Sequence, residues 1–337
     1  MTRAFFITGG TGLIGRALVR ALLRQRNALS IDSLTLLTRN PRAFAANAAD
    51  IANAPGVSLY QGDMSTLTPL PAEHYTDFIH GATDVNDLGI RDRLAYASQI
   101  VEGTRRSLQF AEHTGCSRFL YLSSGAVYGP GPYPDSGIPE KWPGAPALDA
   151  PVTAYGQAKR FSEHLCALAA EGSRMAVRIA RIFSVIGPES PVDNQYALGN
   201  FVRDALDESV DRIRIKGDGR ATRSYLHVDD VAVWLIAMNE RAPHRATFNV
   251  GSGREVSIVE LANLISSASE SKKEVIVEGT ITDYAGRSRY FPDCSALQRE
   301  LAVREMIKLE QSIRELLDRV KSNVLDSGSI TGRTIAF

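Results

Sequence analysis

The segment Ile7–Leu18, ITGGTGLIGRAL, constrains the fold more than any other stretch of the chain. It follows a short β-branched and aromatic run, Ala4–Thr8, and opens a helical pattern in which Leu18, Val19 and Leu22 share one face. The glycines fit two spacings: GxGxxG as Gly10, Gly12 and Gly15, and TGxxGxxG as Thr8, Gly9, Gly12 and Gly15. Glycine at these points permits a tight turn, close approach of backbone to a pyrophosphate, and close packing of the helix on a sheet. The helix N-terminus then offers free N–H groups and a partial positive charge to the phosphates. Gly9, Gly12, Leu13, Ile14 and Gly15 are the expected dinucleotide cradle, with Arg16 directly behind it.

The pattern repeats downstream. Apolar runs at Leu34–Thr38, Val57–Asp63, Asp77–Thr83, Arg118–Ser124 and Met175–Phe183 alternate with helical stretches near Arg91–His113 and Thr153–Glu171. Continuous apolar strands separated by helices predict an α/β fold with a doubly wound parallel sheet covered on both faces. The alternation loosens after Pro188. We therefore expect a dinucleotide-binding domain over 1–182 and a smaller C-terminal α/β substrate lobe over 183–337, with segments near 222–250 returning to the sheet. A Pro- and Gly-rich stretch, Gly129–Pro151, is long for a loop, and such loops tend to be functional. The final stretch from Ser322 has little periodicity and reads as a loose tail.

Composition narrows the partners. Lys plus Arg and Asp plus Glu both number 38, so net charge argues against nucleic acid or an anionic membrane as the main partner. No apolar run approaches the roughly 18 residues of a membrane helix, and the N-terminus lacks the apolar core of a signal peptide. Cys116, Cys166 and Cys294 are scattered, and no Cys or His pair has zinc spacing. A reduced, cytoplasmic protein without a metal site is expected. His80 and His227 read as structural and packing residues, and Asp229 as a helix cap or dipole partner.

Tyr155 and Lys159 stand four apart on a predicted helix, on one face. A phenol with pKa near 10 carries protons poorly at neutral pH, and a neighbouring ammonium favours its phenolate. Such a pair suits proton exchange with a carbinol or carbonyl oxygen during nicotinamide redox chemistry.

Several motifs now stand in order: TGxxGxxG (Thr8–Gly15), Asp63 in GDM, HGAT (His80–Thr83), YLSSGAVYG (Tyr121–Gly129), Tyr155-xxx-Lys159, RIFSVIGP (Arg181–Pro188), TRSYLHVDDV (Thr222–Val231) and NVGSG (Asn249–Gly253). Together they resemble the extended short-chain dehydrogenase/reductases that act on nucleotide-sugars, over roughly residues 4 to 320. The resemblance implies a Rossmann-type fold and a triad of Ser124, Tyr155 and Lys159, with Ser123 the less favoured hydroxyl. It implies that Ser124 bonds the reacting oxygen, that Tyr155 is the acid/base and that Lys159 also holds the nicotinamide ribose. Asp63 would meet the adenine, with Met64 beside it, and Ala82 would line the cofactor. Arg223 would grip the substrate diphosphate, joined by Arg287 or Arg289. A homodimer through the helices Arg91–His113 and Thr153–Glu171 is implied as well.

Three positions depart from the family pattern. Dehydratases of the family follow the triad hydroxyl with Asp-Glu, but Gly125 and Ala126 stand here, which argues against 4,6-dehydration. Ser184 replaces an asparagine substrate contact. Ile100, in IVEGT, replaces an asparagine near the cofactor.

The cofactor discriminates between reactions. A carboxylate at the tip of the second strand bonds the ribose of NAD and repels the 2′-phosphate of NADP. Arg39 stands there, with Arg16 and Arg42 as possible helpers, so NADP is expected. NADP favours net reduction, hence a nucleotide-sugar 4-ketoreductase. The alternatives are an epimerase retaining NAD and, more remotely, a non-catalytic NADP-binding sensor.

Overall fold

The computed structural model describes residues 2–64, 67, 74–83, 92–192, 196–280 and 289–327. In the first half, β1 (Arg3–Thr8) leads into α1 (Leu13–Arg24), β2 (Ile31–Thr38), α2 (Pro41–Asn47), α3 (Ala49–Ala52), β3 (Val57–Gln61) and β4 (Asp77–His80). Next come α4 (Arg93–His113), β5 (Arg118–Ser124), α5 (Ala154–Ala169) and β6 (Ala176–Ile182). The second half adds β7 (Val185–Ile186), α6 (Ala197–Leu206), β8 (Arg212–Ile215), β9 (Thr222–Arg223), β10 (Leu226–His227), α7 (Val228–Arg241) and β11 (Thr247–Val250). It ends with β12 (Val256–Ser257), α8 (Ile258–Ala268), β13 (Glu274–Val277), β14 (Arg289–Tyr290), α9 (Ser295–Leu301) and α10 (Leu309–Ser327).

Seven strands form one sheet in the order β11-β6-β5-β4-β1-β2-β3. Every pairing in it is parallel. The interior strands are buried on both faces, which is why they read as unbroken apolar runs. On one face Leu18 and Leu22 of α1 share a core with Val231 and Leu235 of α7. On the other, Leu108 and Phe110 of α4 and Cys166 of α5 pack with Phe6, Phe78 and Phe119. The order steps outward from β1 in both directions, so the crevice at the β1/β4 junction is a topological switch point, where ligands of such sheets bind.

The seventh strand, β11, comes from well beyond residue 182 and pairs with β6 from Thr247↔Ile179 to Val250↔Ile182. A separate core in the second half gathers Ile186, Phe201, Ile213, Leu261 and Ile313. The stretch 129–150 is irregular but tethered. The Ile138 amide donates to the Phe291 carbonyl (2.9 Å), the Ile138 carbonyl accepts from Asn249 Nδ2 (2.8 Å), and Glu140 Oε1 accepts from the Asn249 amide (3.0 Å). Helix α7 is capped by His227, whose Nδ1 accepts from the Asp229 amide at 3.1 Å. Sequence reasoning offered Asp229 as a cap or dipole partner and His227 as packing; Asp229 stands in the first turn, on the dipole's positive end, and the cap is His227. The imidazole takes the capping role because its ring is buried at the strand–helix junction with Nε2 on Glu315 (3.0 Å).

Candidate active site

The β1–α1 turn decides between the two glycine spacings. Gly9 has φ +74°, and a Cβ there would meet the Gly81 carbonyl carbon at 2.5 Å. A Cβ on Gly15 would stand 2.0 Å from the Gly9 carbonyl oxygen. Gly10 has only a 3.1 Å approach to a Leu36 methyl, so the left-handed turn belongs to the TGxxGxxG register. Gly12 caps α1 with no side-chain acceptor, and no acidic residue stands in the first turn. The first N–H groups of the helix, at Leu13 and Ile14, therefore face outward for an anion.

That turn forms one wall of a cleft of about 450 Å³. Gly9, Gly12 and Arg16 line one side. Arg39, Asn40 and Phe44 line the second, and Asp63, Met64 and Ala82 the third. Arg42 is absent from this lining, because α2 turns Ala43, Phe44 and Asn47 inward instead. Thr83 also lines the cleft, and its buried hydroxyl has no partner among the described residues. A turn with no room for a Cβ at Gly9 or Gly15, an uncapped helix start and an orphan hydroxyl fit a pyridine dinucleotide. Arg16 enters with a commitment. Its Nε donates to the Thr11 carbonyl (2.8 Å) and its NH1 pairs with Glu189 (3.3 Å). Gln99 was missed by sequence reasoning. It lines the cleft beside Ile100, so an amide stands one residue before the position where the family asparagine is lost.

Tyr155 adjoins the end of the cleft through Ile100, since both belong to a cluster with Tyr96 and Ala158. Tyr155 is half-buried at the start of α5 and stacks on Tyr96 with centroids 6.1 Å apart. Lys159, one turn later, is buried, with Nζ 5.9 Å from the Tyr155 ring centroid and donating to the Leu122 carbonyl at 2.9 Å. Ser124 ends β5 and accepts from the Ala126 amide at 3.2 Å. Burial raises the Tyr155 pKa, with hydrogen bonding from Ser124 opposing it. Burial also lowers Lys159 to about 7, against the charge of Glu163. The expected ammonium effect is not among the influences on the phenol, which are burial, the Ser124 hydrogen bond and the nearby Tyr196 phenol.

Ser123 is differently employed: its hydroxyl donates to Glu163 Oε1 at 2.6 Å. Glu163 also receives Arg181 Nε (2.9 Å) and NH2 (2.6 Å), while Arg181 NH1 reaches the Tyr128 hydroxyl at 2.9 Å. Glu163 continues the i,i+4 face of Tyr155 and Lys159, a spacing that would have revealed it in the sequence. His80 is buried, with its ring nitrogens on Thr8 (2.7 Å) and Thr104 (3.3 Å). Burial and the Lys159 charge hold it neutral, with a pKa near about 3.

On the far side, Arg223 and Tyr290 are register partners of β9 and β14. Ser184 is half-buried between β6 and β7. Arg289, expected beside Arg223, does not point its fork into open space. Its Nε and NH2 bind the two Glu255 oxygens, each at 2.6 Å, and NH1 pairs with Asp135. Two carboxylates on one guanidinium leave it little capacity for a diphosphate. Arg287 lies outside the described residues.

Fold and site together define a pyridine-nucleotide-binding α/β enzyme with a Ser–Tyr–Lys constellation at the cleft end. The NAD dependent epimerase/dehydratase family model matches residues 5–251, and the chain belongs to that family, within the extended short-chain dehydrogenase/reductase type. It is 25% identical over 323 residues to UDP-glucuronic acid decarboxylase 1 of Arabidopsis thaliana, covering 95% of this chain and 70% of that one. It spans only 46% of the length of UDP-glucuronic acid decarboxylase 2 of the same plant. It is 27% identical to dTDP-glucose 4,6-dehydratase of Streptomyces griseus, covering 93% and 92%. The UDP-N-acetylglucosamine 4-epimerase of Methanobrevibacter ruminantium M1 shares the fold, with TM-score 0.80, 20% identity and coverage of 96% and 99%. Among the described residues no helix is long and apolar enough to cross a membrane.

Proposed function

We propose that this enzyme reduces a keto group, at C4, of a nucleotide-linked sugar, with NADPH as the reductant. The observation that carries the reading is the grouping of Ser124 and Lys159 around Tyr155, which packs on the cleft residue Ile100, with no carboxylate at positions 125 and 126. Without an acidic pair there, elimination of water has no general acid/base beside the triad hydroxyl. The bound nicotinamide supplies the hydride. Ser124 holds the carbonyl oxygen, and Tyr155, a neutral phenol at working pH, donates the proton to it as the carbinol forms. Lys159 holds the ribose. Asp63 and Met64 meet the adenine, Arg39 the 2′-phosphate, Arg223 the substrate diphosphate and Ser184 the sugar.

Support for NADP comes from the second-strand tip, where the cleft wall carries Arg39 and Asn40 and no carboxylate. A second reading, epimerisation with retained NAD, is favoured by the fold match to UDP-glucuronic acid 4-epimerase of Bacillus cereus, which was solved with UDP-glucuronic acid and NAD (TM-score 0.78). A homodimer through α4 and α5 is supported by exposed Leu94 on α4 and by exposed Phe161 and Leu168 on α5.

The test is direct. Purified protein is denatured and any released nicotinamide identified, then the native protein is assayed for NADPH oxidation with UDP- and dTDP-4-keto-sugars. NADPH-linked turnover that Tyr155→Phe abolishes, from protein that releases no NAD, supports the reductase. Stoichiometric released NAD replaces it with the epimerase reading.

A further inference from the structure

We infer that Glu189 is a specificity-determining residue for the cofactor: its carboxylate holds Arg16, a second guanidinium in the dinucleotide cleft, away from the 2′-phosphate of NADPH. This rests on the cofactor reading above.

Arg16 and Arg39 line the same cleft, and both carry a fork suited to phosphate oxygens. Their surroundings differ. Arg39 is exposed, whereas Arg16 is buried in the first turn of α1, beside the helix end where the dinucleotide phosphates are expected. Arg16 Nε donates to the Thr11 carbonyl at 2.8 Å, and its NH1 stands 3.3 Å from Glu189 Oε2. Arg20 lies on the same helix face one turn later, and its NH1 reaches Glu189 Oε1 at 3.0 Å. Arg20 is itself anchored on Asp50, with Nε 2.7 Å from the carboxylate. One carboxylate from a distant segment thus bridges two guanidiniums of α1.

Glu189 is held in place by its own turn. It follows β7, and the Ser190 hydroxyl oxygen accepts from the Gly187 amide at 2.9 Å while the Ser190 amide donates to the Gly187 carbonyl at 3.0 Å. Gly187 packs on the start of α7, where a Cβ would stand 2.6 Å from a Val228 methyl. The tertiary fold therefore fixes the carboxylate against α1. Burial lowers the pKa of Arg16, and the Glu189 charge is the strongest influence opposing it. A phosphate that recruits Arg16 has to displace this carboxylate or share the guanidinium with it, and two anions on one fork repel each other. Glu189 is thus a competitor built into the chain, and it leaves discrimination at the second-strand tip to Arg39.

The experiment measures binding of NADPH and NADH by fluorescence titration to wild type, Glu189→Gln, Arg16→Gln and the double variant. It is run at about pH 8, where a phosphate monoester carries its full charge. Glu189→Gln should raise the preference for NADPH over NADH about tenfold, the low end for one charge-assisted hydrogen bond, with NADH affinity within a few fold. Glutamine keeps the shape of the side chain, and a merely structural role of the pair would move both affinities together and leave their ratio alone. In the Arg16→Gln background the same substitution should give no gain, because the guanidinium it would release is gone. A ratio unchanged by Glu189→Gln overturns the inference. So does a gain that persists without Arg16, which is a general effect of charge. A wild type that prefers NADH overturns the NADP reading, and a shift toward NADPH in Glu189→Gln upholds the inference even then. A wild type that binds neither dinucleotide overturns both.

Discussion

Glu163→Gln should move the ionisation of Lys159 to lower pH. The two residues are four apart on one face of α5, and Lys159 Nζ is buried against the Leu122 carbonyl. Burial lowers its pKa to about 7, and the Glu163 charge is the largest influence raising it. At an i,i+4 separation of about 6 Å and an effective dielectric of about 20, Coulomb's law gives roughly 3 kcal/mol. That corresponds to about two pKa units. Arg181, which donates to the same carboxylate at 2.6 Å, keeps its charge in the variant and acts in the same direction. The Lys159 midpoint should therefore fall from about 7 to roughly 5.

The assay is the affinity for NADH, followed by fluorescence between about pH 5 and 9. NADH is preferred to NADPH here because a phosphate monoester titrates near about 6 on its own. An ammonium donating to the ribose is present below the midpoint and lost above it. Wild-type affinity should drop as pH rises through about 7, and the variant should drop about two units lower. A drop at the same pH in both proteins refutes the coupling. A pH-independent affinity in the wild type refutes the role of Lys159 on the ribose.

Three further outcomes are expected. Arg39→Asp should cost about 10- to 100-fold in NADPH affinity, the range for one charge-assisted hydrogen bond, while NADH binding stays within a few fold; an unchanged ratio marks Arg39 as a solvent-facing side chain. Lys159→Met should flatten stability against pH between about 7 and 8.5, measured by urea unfolding. The sign follows from the depressed pKa: above about 7 the folded enzyme has released a proton that the unfolded chain still binds, so wild-type stability rises with pH there. Asp77→Asn should destabilise by about 3–5 kcal/mol in the same assay, since it removes a fully buried carboxylate that receives Arg3 Nε at 3.0 Å and Asn239 Nδ2 at 2.9 Å. A loss below about 1 kcal/mol would show that Arg3 finds other partners.

Much of the fold was legible because its signals are local. A strand buried on both faces must be apolar throughout, and a turn that brings Gly9 against Gly81 cannot carry a side chain. Tyr155, Lys159 and, unread at first, Glu163 share a face because helical geometry repeats within four residues. The chain by itself thus determined the parallel sheet, the glycine turn and the shared helix face of Tyr155 and Lys159. Tertiary structure alone decided which charges were already taken and which ring lies against Gly125. Arg16 meets Glu189, Arg289 meets Glu255 and Asp135, and Tyr290 lies over Gly125. In each of these contacts the partners are far apart in sequence. No periodicity connects such residues, because their meeting depends on how sheet and lobe fold back on each other, whereas a turn or helix face depends only on near neighbours.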